Sequence, residues 1–182
     1  MIDQNFIKIY ENSFRVNWDK PALTDYKDQN SLTYAQLAEE IARLHLFFDE
    51  LGIEKGDKVA LIGKNHSTWS LVFLATFTYG AVIVPILHEF NTESMIHIIN
   101  HSDSKCAFIN DNIWSSIDKK RVSIPTFMTP QTANTPTNNL RAFQNLRTRS
   151  RSKTSKSSTR APAKQRYIIR NQILLTPAVL AL

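Results

Sequence analysis

The sequence predicts an α/β fold, a parallel doubly wound βαβαβ sheet, continued by a basic C-terminal tail whose composition predicts disorder. Two observations predict the sheet. Three short apolar runs at residues 59–62, 81–85 and 105–109 alternate with segments of helical period. The connections between them reach about a dozen residues or more, as parallel strands require. A third observation sets off the tail. Residues 1–118 hold all 16 acidic residues and 9 basic ones, a net of −7, whereas residues 119–182 hold 13 basic residues and no Asp or Glu. The overall charge of +6 averages two unlike compositions.

Taken in order, a short amphipathic opening leads into a polar, turn-rich stretch over 21–30. Thr33 then stands three residues before Gln36, the spacing of a capping box. Leu37, Ile41, Leu44, Phe48 and Leu51 follow on one helical face and Gly52 sits where a left-handed residue closes a helix, so a helix is expected over 33–51. Lys55-Gly56-Asp57 reads as a turn, and Val59-Ala60-Leu61-Ile62 as a strand covered on both faces. Residues 63–67 cap a second helix over 67–79, with Trp69, Val72, Phe73 and Phe77 as its core face and Gly80 as its stop. A second strand, 81–85, exits at Pro85. Asn91-Thr92-Glu93 caps a third helix bearing Met95, Ile96 and Ile99, and residues 105–109 form the third strand.

Several classes are excluded. A single cysteine, Cys106, forms no internal disulfide, and the Met-Ile-Asp-Gln-Asn opening lacks the basic and apolar regions of a signal peptide. The expected location is therefore a reducing cytoplasm, including positions peripheral to a membrane. The most apolar stretch, 71–87, contains Tyr79, Gly80 and Pro85 and reads as two buried elements rather than a bilayer span.

Four local candidates for chemistry each have a plainer reading. Gly63-Lys64-Asn65 lies between a strand and a helix, yet a single glycine matches neither phosphate-loop spacing, so it reads as a helix cap. His88 and Glu89 follow a strand's carboxyl end, where such sheets bind ligands, but read as loop. His97 and His101 have a metal-compatible spacing without a third ligand and read as solvated. Cys106 reads as an inert core thiol. No catalytic or metal-binding residue is assigned.

The order of particular blocks says more than periodicity. Residues 32–37 (Leu-Thr-Tyr-Ala-Gln-Leu), 51–61 (Leu-Gly-Ile-Glu-Lys-Gly-Asp-Lys-Val-Ala-Leu), Asn65 with Trp69, 79–85 (Tyr-Gly-Ala-Val-Ile-Val-Pro) and 98–105 (Ile-Ile-Asn-His-Ser-Asp-Ser-Lys) resemble the N-terminal subdomain of AMP-forming acyl-CoA synthetases, most closely long-chain fatty acid–CoA ligases. The resemblance covers about residues 5–118. It implies an adenylate-forming fold that joins a fatty acid to the α-phosphate of Mg²⁺-bound ATP, releases pyrophosphate, and passes the acyl group to coenzyme A. It also implies a loop of the form Ser-Gly-(Ser/Thr)-Thr-Gly-x-Pro-Lys-Gly gripping the phosphates. No such run occurs in this chain. The resemblance therefore assigns no catalytic residue here and implies an inactive N-terminal portion, residues 1–118, that binds none of the three cofactors competently.

Residues 119–182 fall outside the resemblance and read as a nonhomologous tail. Hydroxylated, basic and proline residues dominate from 126 to 164, too few of them apolar to offset ordering entropy. Arg147 to Lys156 would support nonspecific contacts with anionic surfaces, without specific nucleic-acid recognition. The alternative function is accordingly an α/β module tethered by this tail to nucleic acid or anionic membrane. A shifted reading frame near codon 119 explains more. Asp and Glu codons all begin GA, so a shift removes both at once. The codons of Thr176-Pro-Ala-Val-Leu-Ala-Leu182, read one base earlier, permit Ser-Gly-Ser-Thr-Gly-Thr, the start of the missing loop.

Overall fold

The computed structural model describes residues 6–27 and 29–129. The elements, in chain order, are α1 (Phe6–Val16), β1 (Pro21–Asp25), β2 (Asn30–Thr33), α2 (Tyr34–Leu51), β3 (Lys58–Ile62), α3 (Ser67–Tyr79), β4 (Val82–Ile86), α4 (Thr92–His101), β5 (Ser104–Asn110), α5 (Asp111–Ser116), a 3₁₀ turn (Lys119–Arg121) and β6 (Thr126–Thr129). The main sheet is parallel throughout, in the order β4-β3-β5-β6. Chain order steps from β3 outward to β4, then crosses back to β5 on the other side. That reversal puts helices on both faces of the sheet, the doubly wound arrangement expected from the sequence.

Alternation along the strands fills two cores. Val59, Leu61, Cys106 and Phe108 point to one face and meet Leu44 and Phe48 of α2 and Leu71, Val72 and Ala75 of α3. Ala60, Ile62, Ala107 and Ile109 point to the other and meet Met95, Ile96 and Ile99 of α4. Phe48 and Phe108, both fully buried, contact edge to face at 6.0 Å in the first core.

The caps form as the sequence predicts. Thr33 accepts the Gln36 amide while Gln36 Oε1 accepts the Thr33 amide, a complete capping box, and Gly52 closes α2 in the left-handed conformation. Asn91 caps α4, its side chain accepting the Ser94 amide at 2.8 Å. At the lower end of the sheet Gly80, with φ of 88°, closes α3, and its carbonyl accepts the Gly56 amide at 2.9 Å. Val82 N–H donates to Asp57 O nearby, so the turn before β3 fixes where β4 begins.

Three expectations are corrected. The polar stretch after α1 is an antiparallel hairpin, β1–β2, joined through pairs such as Thr24 with Ser31. The deep face of α3 is Thr68, Leu71, Val72, Ala75 and Thr76 rather than the aromatic stripe. Trp69 and Phe73 stack on each other at 5.4 Å, and Phe77 receives Phe6 and Tyr10 from α1. An all-apolar helix hides which face lies deepest, because α3 is covered by the sheet and by two helices. Finally, the boundary expected at Asp118 lies inside the fold. Val122 and Ile124 join the second core, Arg121 grips Glu93 with two hydrogen bonds of 2.5 and 2.8 Å, and β6 pairs in parallel with β5. A four-residue edge strand is too short to show a period, and composition alone places the break too early. The part of the tail beyond residue 129, with the disorder expected of it, lies outside the described residues.

Candidate functional site

In doubly wound sheets ligands collect at the carboxyl ends of the strands where the strand order reverses. Here that point lies between β3 and β5, at Gly63 and Asn110. Gly63 is held there by close approach. A Cβ on it would stand 3.2 Å from Trp69 Cδ1 and 3.8 Å from Asn110 Cβ. Asn110 is buried and turns its side chain inward to cap α5, accepting the Asn112 amide at 3.1 Å. Trp69 and Asn110 thus pack close to the backbone at this point.

The amino end of α3 is the second place where a phosphate would sit, since helix N-termini present free amides and a positive dipole end. It is filled from within the chain. Asp25, the last residue of β1, accepts the Ser67 amide on Oδ1 at 2.8 Å, and its Oδ2 accepts the Ser67 hydroxyl. The Thr68 amide donates to His66 Nδ1 at 3.3 Å, which leaves the His66 proton on Nε2, 3.3 Å from Asp25 Oδ2. The sequence gives no sign of this carboxylate, because Asp25 lies 42 positions from Ser67 and inside a stretch that reads as a polar turn.

The remaining candidates are spread apart. Lys64 and Asn65 are exposed on the loop after β3, and His88 and Glu89 lie in the loop after β4. His97 and His101 stand on the solvent face of α4 with rings stacked at 5.4 Å. Among the described residues no group of three or more His, Cys, Asp or Glu is placed to hold a metal ion. Cys106 is buried in β5, and burial pushes its thiol up to about 12, the inert state expected of it. An open groove of about 700 Å³ runs along α4, lined by Phe90, Glu93, His97, Asn100 and Arg121. Its charged pair is internally neutralised, and Arg121 holds the Glu93 carboxyl below its ordinary range. No run of the form Ser-Gly-(Ser/Thr)-Thr-Gly-x-Pro-Lys-Gly lies among these residues. No helix among the described residues is long and apolar enough to cross a membrane.

Comparison with known proteins gives a consistent picture. The putative acyl–CoA ligase YdaB of Bacillus subtilis is 32% identical over 90 residues, covering 50% of this chain and 18% of that protein. Crotonobetaine/carnitine–CoA ligase of Proteus mirabilis is 38% identical over 80 residues, covering 44% of this chain and 15% of the ligase. The chain thus spans less than a fifth of the length of these relatives. Among solved structures, the anthranilate CoA ligase AuaEII in complex with anthranoyl-AMP superposes with a TM-score of 0.62 at 18% identity, over 70% of this chain and 25% of that one. The luciferase-like enzyme of the mealworm Zophobas morio gives 0.63 at 17% identity, over 72% and 33%. Both likenesses establish the α/β fold of adenylate-forming enzymes. A family profile described as AMP-binding enzyme matches residues 10–170, continuing well past the point where the sequence resemblance fades. A match over most of its length places this chain in the AMP-binding enzyme family.

Proposed function

We propose that the chain is an N-terminal portion of an AMP-forming acyl-CoA ligase and that it does not activate a carboxylic acid by itself. One observation carries the second half of the proposal. At the α3 N-terminus, where this sheet would receive a phosphate, the Ser67 amide already donates to Asp25, and at the switch point Trp69 and Asn110 pack close to Gly63. The chain also contains no Ser/Thr/Gly-rich loop with a following Pro-Lys-Gly. Stabilising charge on a transferring phosphoryl group needs preorganised donors and cations, and neither is assembled here. In the complete enzyme the acid is a long-chain fatty acid, ATP enters with Mg²⁺ and coenzyme A is the acceptor. The order of the five sequence blocks supports that finer reading, and relatives named as ligases of acyl groups support its coarser form.

The basic, acid-free tail is proposed to arise from a shifted reading frame. The loss of every Asp and Glu after residue 118 supports a shift near codon 119, whereas the profile match to residue 170 weighs against it. Restoring acidic residues by moving one base in the coding DNA, followed by Ser-Gly-Ser-Thr-Gly-Thr-Pro-Lys-Gly, would establish the shift; early stop codons in that frame would remove it.

Equilibrium binding of ATP and AMP to the purified chain tests the functional proposal. No saturable binding at millimolar nucleotide is expected. Saturable binding that a Lys64→Ala substitution abolishes would overturn it.

A further inference from the structure

We propose that His97 and His101 form a solvent-accessible two-imidazole chelate for a late divalent transition metal, separate from any adenylation chemistry. The residues stand one helical turn apart on α4, and both are exposed. Their rings stack, with centroids 5.4 Å apart and planes 10° from parallel. Paired imidazoles at this spacing project from one face of a helix, the arrangement that places two nitrogens on one metal ion. Rotation of the two side chains out of this stack would bring both to metal–nitrogen distances of about 2.0–2.1 Å.

One feature of the surroundings favours a cation. His101 is the last residue of α4, where the negative end of the helix dipole lies. Glu93, one turn before His97 on the same stripe, is held by Arg121 at 2.5 Å and so neither joins the chelate nor adds free charge to it. With no third protein ligand among the described residues, water completes the coordination. Such a site is open and exchangeable, and its preference follows ligand chemistry, with Cu²⁺ above Ni²⁺ and Ni²⁺ above Co²⁺.

Calorimetric titration of the full chain with Ni²⁺, together with His97→Gln, His101→Gln and His88→Gln, tests the proposal. Exposed positions tolerate these changes, and unchanged far-ultraviolet circular dichroism verifies that each variant keeps its fold. The expected result is a single Ni²⁺ equivalent bound by the unsubstituted chain and by His88→Gln. Loss of either chelating imidazole should weaken it by about 100-fold, because the second ligand binds intramolecularly. Ni²⁺ affinity in the His97 or the His101 variant equal to that of the unsubstituted chain, or the same loss in His88→Gln, overturns the proposal. A second readout is the Cu²⁺ electron paramagnetic resonance spectrum, which should show two imidazole nitrogens in the unsubstituted chain and one in each variant. A spectrum left unchanged by the substitutions overturns it as well.

Discussion

Asp25 and Ser67, 42 residues apart, are joined by two hydrogen bonds at the amino end of α3, one to the Ser67 amide at 2.8 Å and one from its hydroxyl. This contact ties the β1–β2 hairpin to α3. It also places a carboxylate of the chain's own where a doubly wound fold offers its amides to an anion.

Replacing Asp25 with Ala leaves a buried amide and hydroxyl without their acceptor and takes a negative charge from a helix N-terminus. A loss of about 3 kcal/mol is expected, since hydrogen bonds to a buried charge are worth more than neutral ones. Urea denaturation of the variant beside the unsubstituted chain measures it. Asp25→Asn should recover part of the loss, because an amide oxygen still accepts from Ser67.

Gly80→Ala should destabilise by about 1–2 kcal/mol, the penalty for an L-residue in the left-handed region. Gly80 has φ of 88°, and its new Cβ would meet Lys55 Cγ at 3.2 Å. Gly52→Ala, at φ of 69° and with nothing within 4 Å, carries only the conformational part. The thermal midpoints of the two variants compare them directly, with Gly80→Ala the lower if the Lys55 stem resists displacement.

His45 makes stability depend on pH. Its Nε2 donates to Ala75 O at 3.0 Å and lies 3.1 Å from Thr78 Oγ1, between α2 and α3. Burial holds its pKa below the ordinary 6.5, outweighing the opposing pull of the Ala75 carbonyl and Asp49. The neutral form is therefore the folded form, and unfolding takes up a proton once the pH is below the unfolded value. Stability is fully present above about 6.5 and declines as the pH falls towards the folded pKa, by at most about 1.4 kcal/mol per pH unit. Urea midpoints at pH 7.5 and 5.5 should differ less for His45→Gln than for the unsubstituted chain.

Much of this fold is legible in the residues, for identifiable reasons. Thr33 with Gln36, Gly52, Gly80 and Asn91 mark helix ends through local chemistry, which needs no tertiary context. The runs at β3 and β5 announce themselves because both faces are covered. What escapes is decided at long range. The hairpin depends on pairing across its own turn and on Asp25 reaching α3, and β6 exists because β5 offers it an edge. The burial order within α3 is invisible because nearly every position is apolar. Of the candidate residues, Gly63 is the one the structure brings to the switch point, where it leaves room for Trp69.

An adenylate-forming fold without a phosphate grip should not activate a carboxylic acid. The measurement that tests it most directly is AMP formation from ATP by purified chain supplied with Mg²⁺, coenzyme A and hexadecanoate, followed chromatographically against a blank without acid. AMP at the level of the blank is the expected result. Acid-dependent AMP that scales with protein concentration and is lost in Lys64→Ala would contradict it.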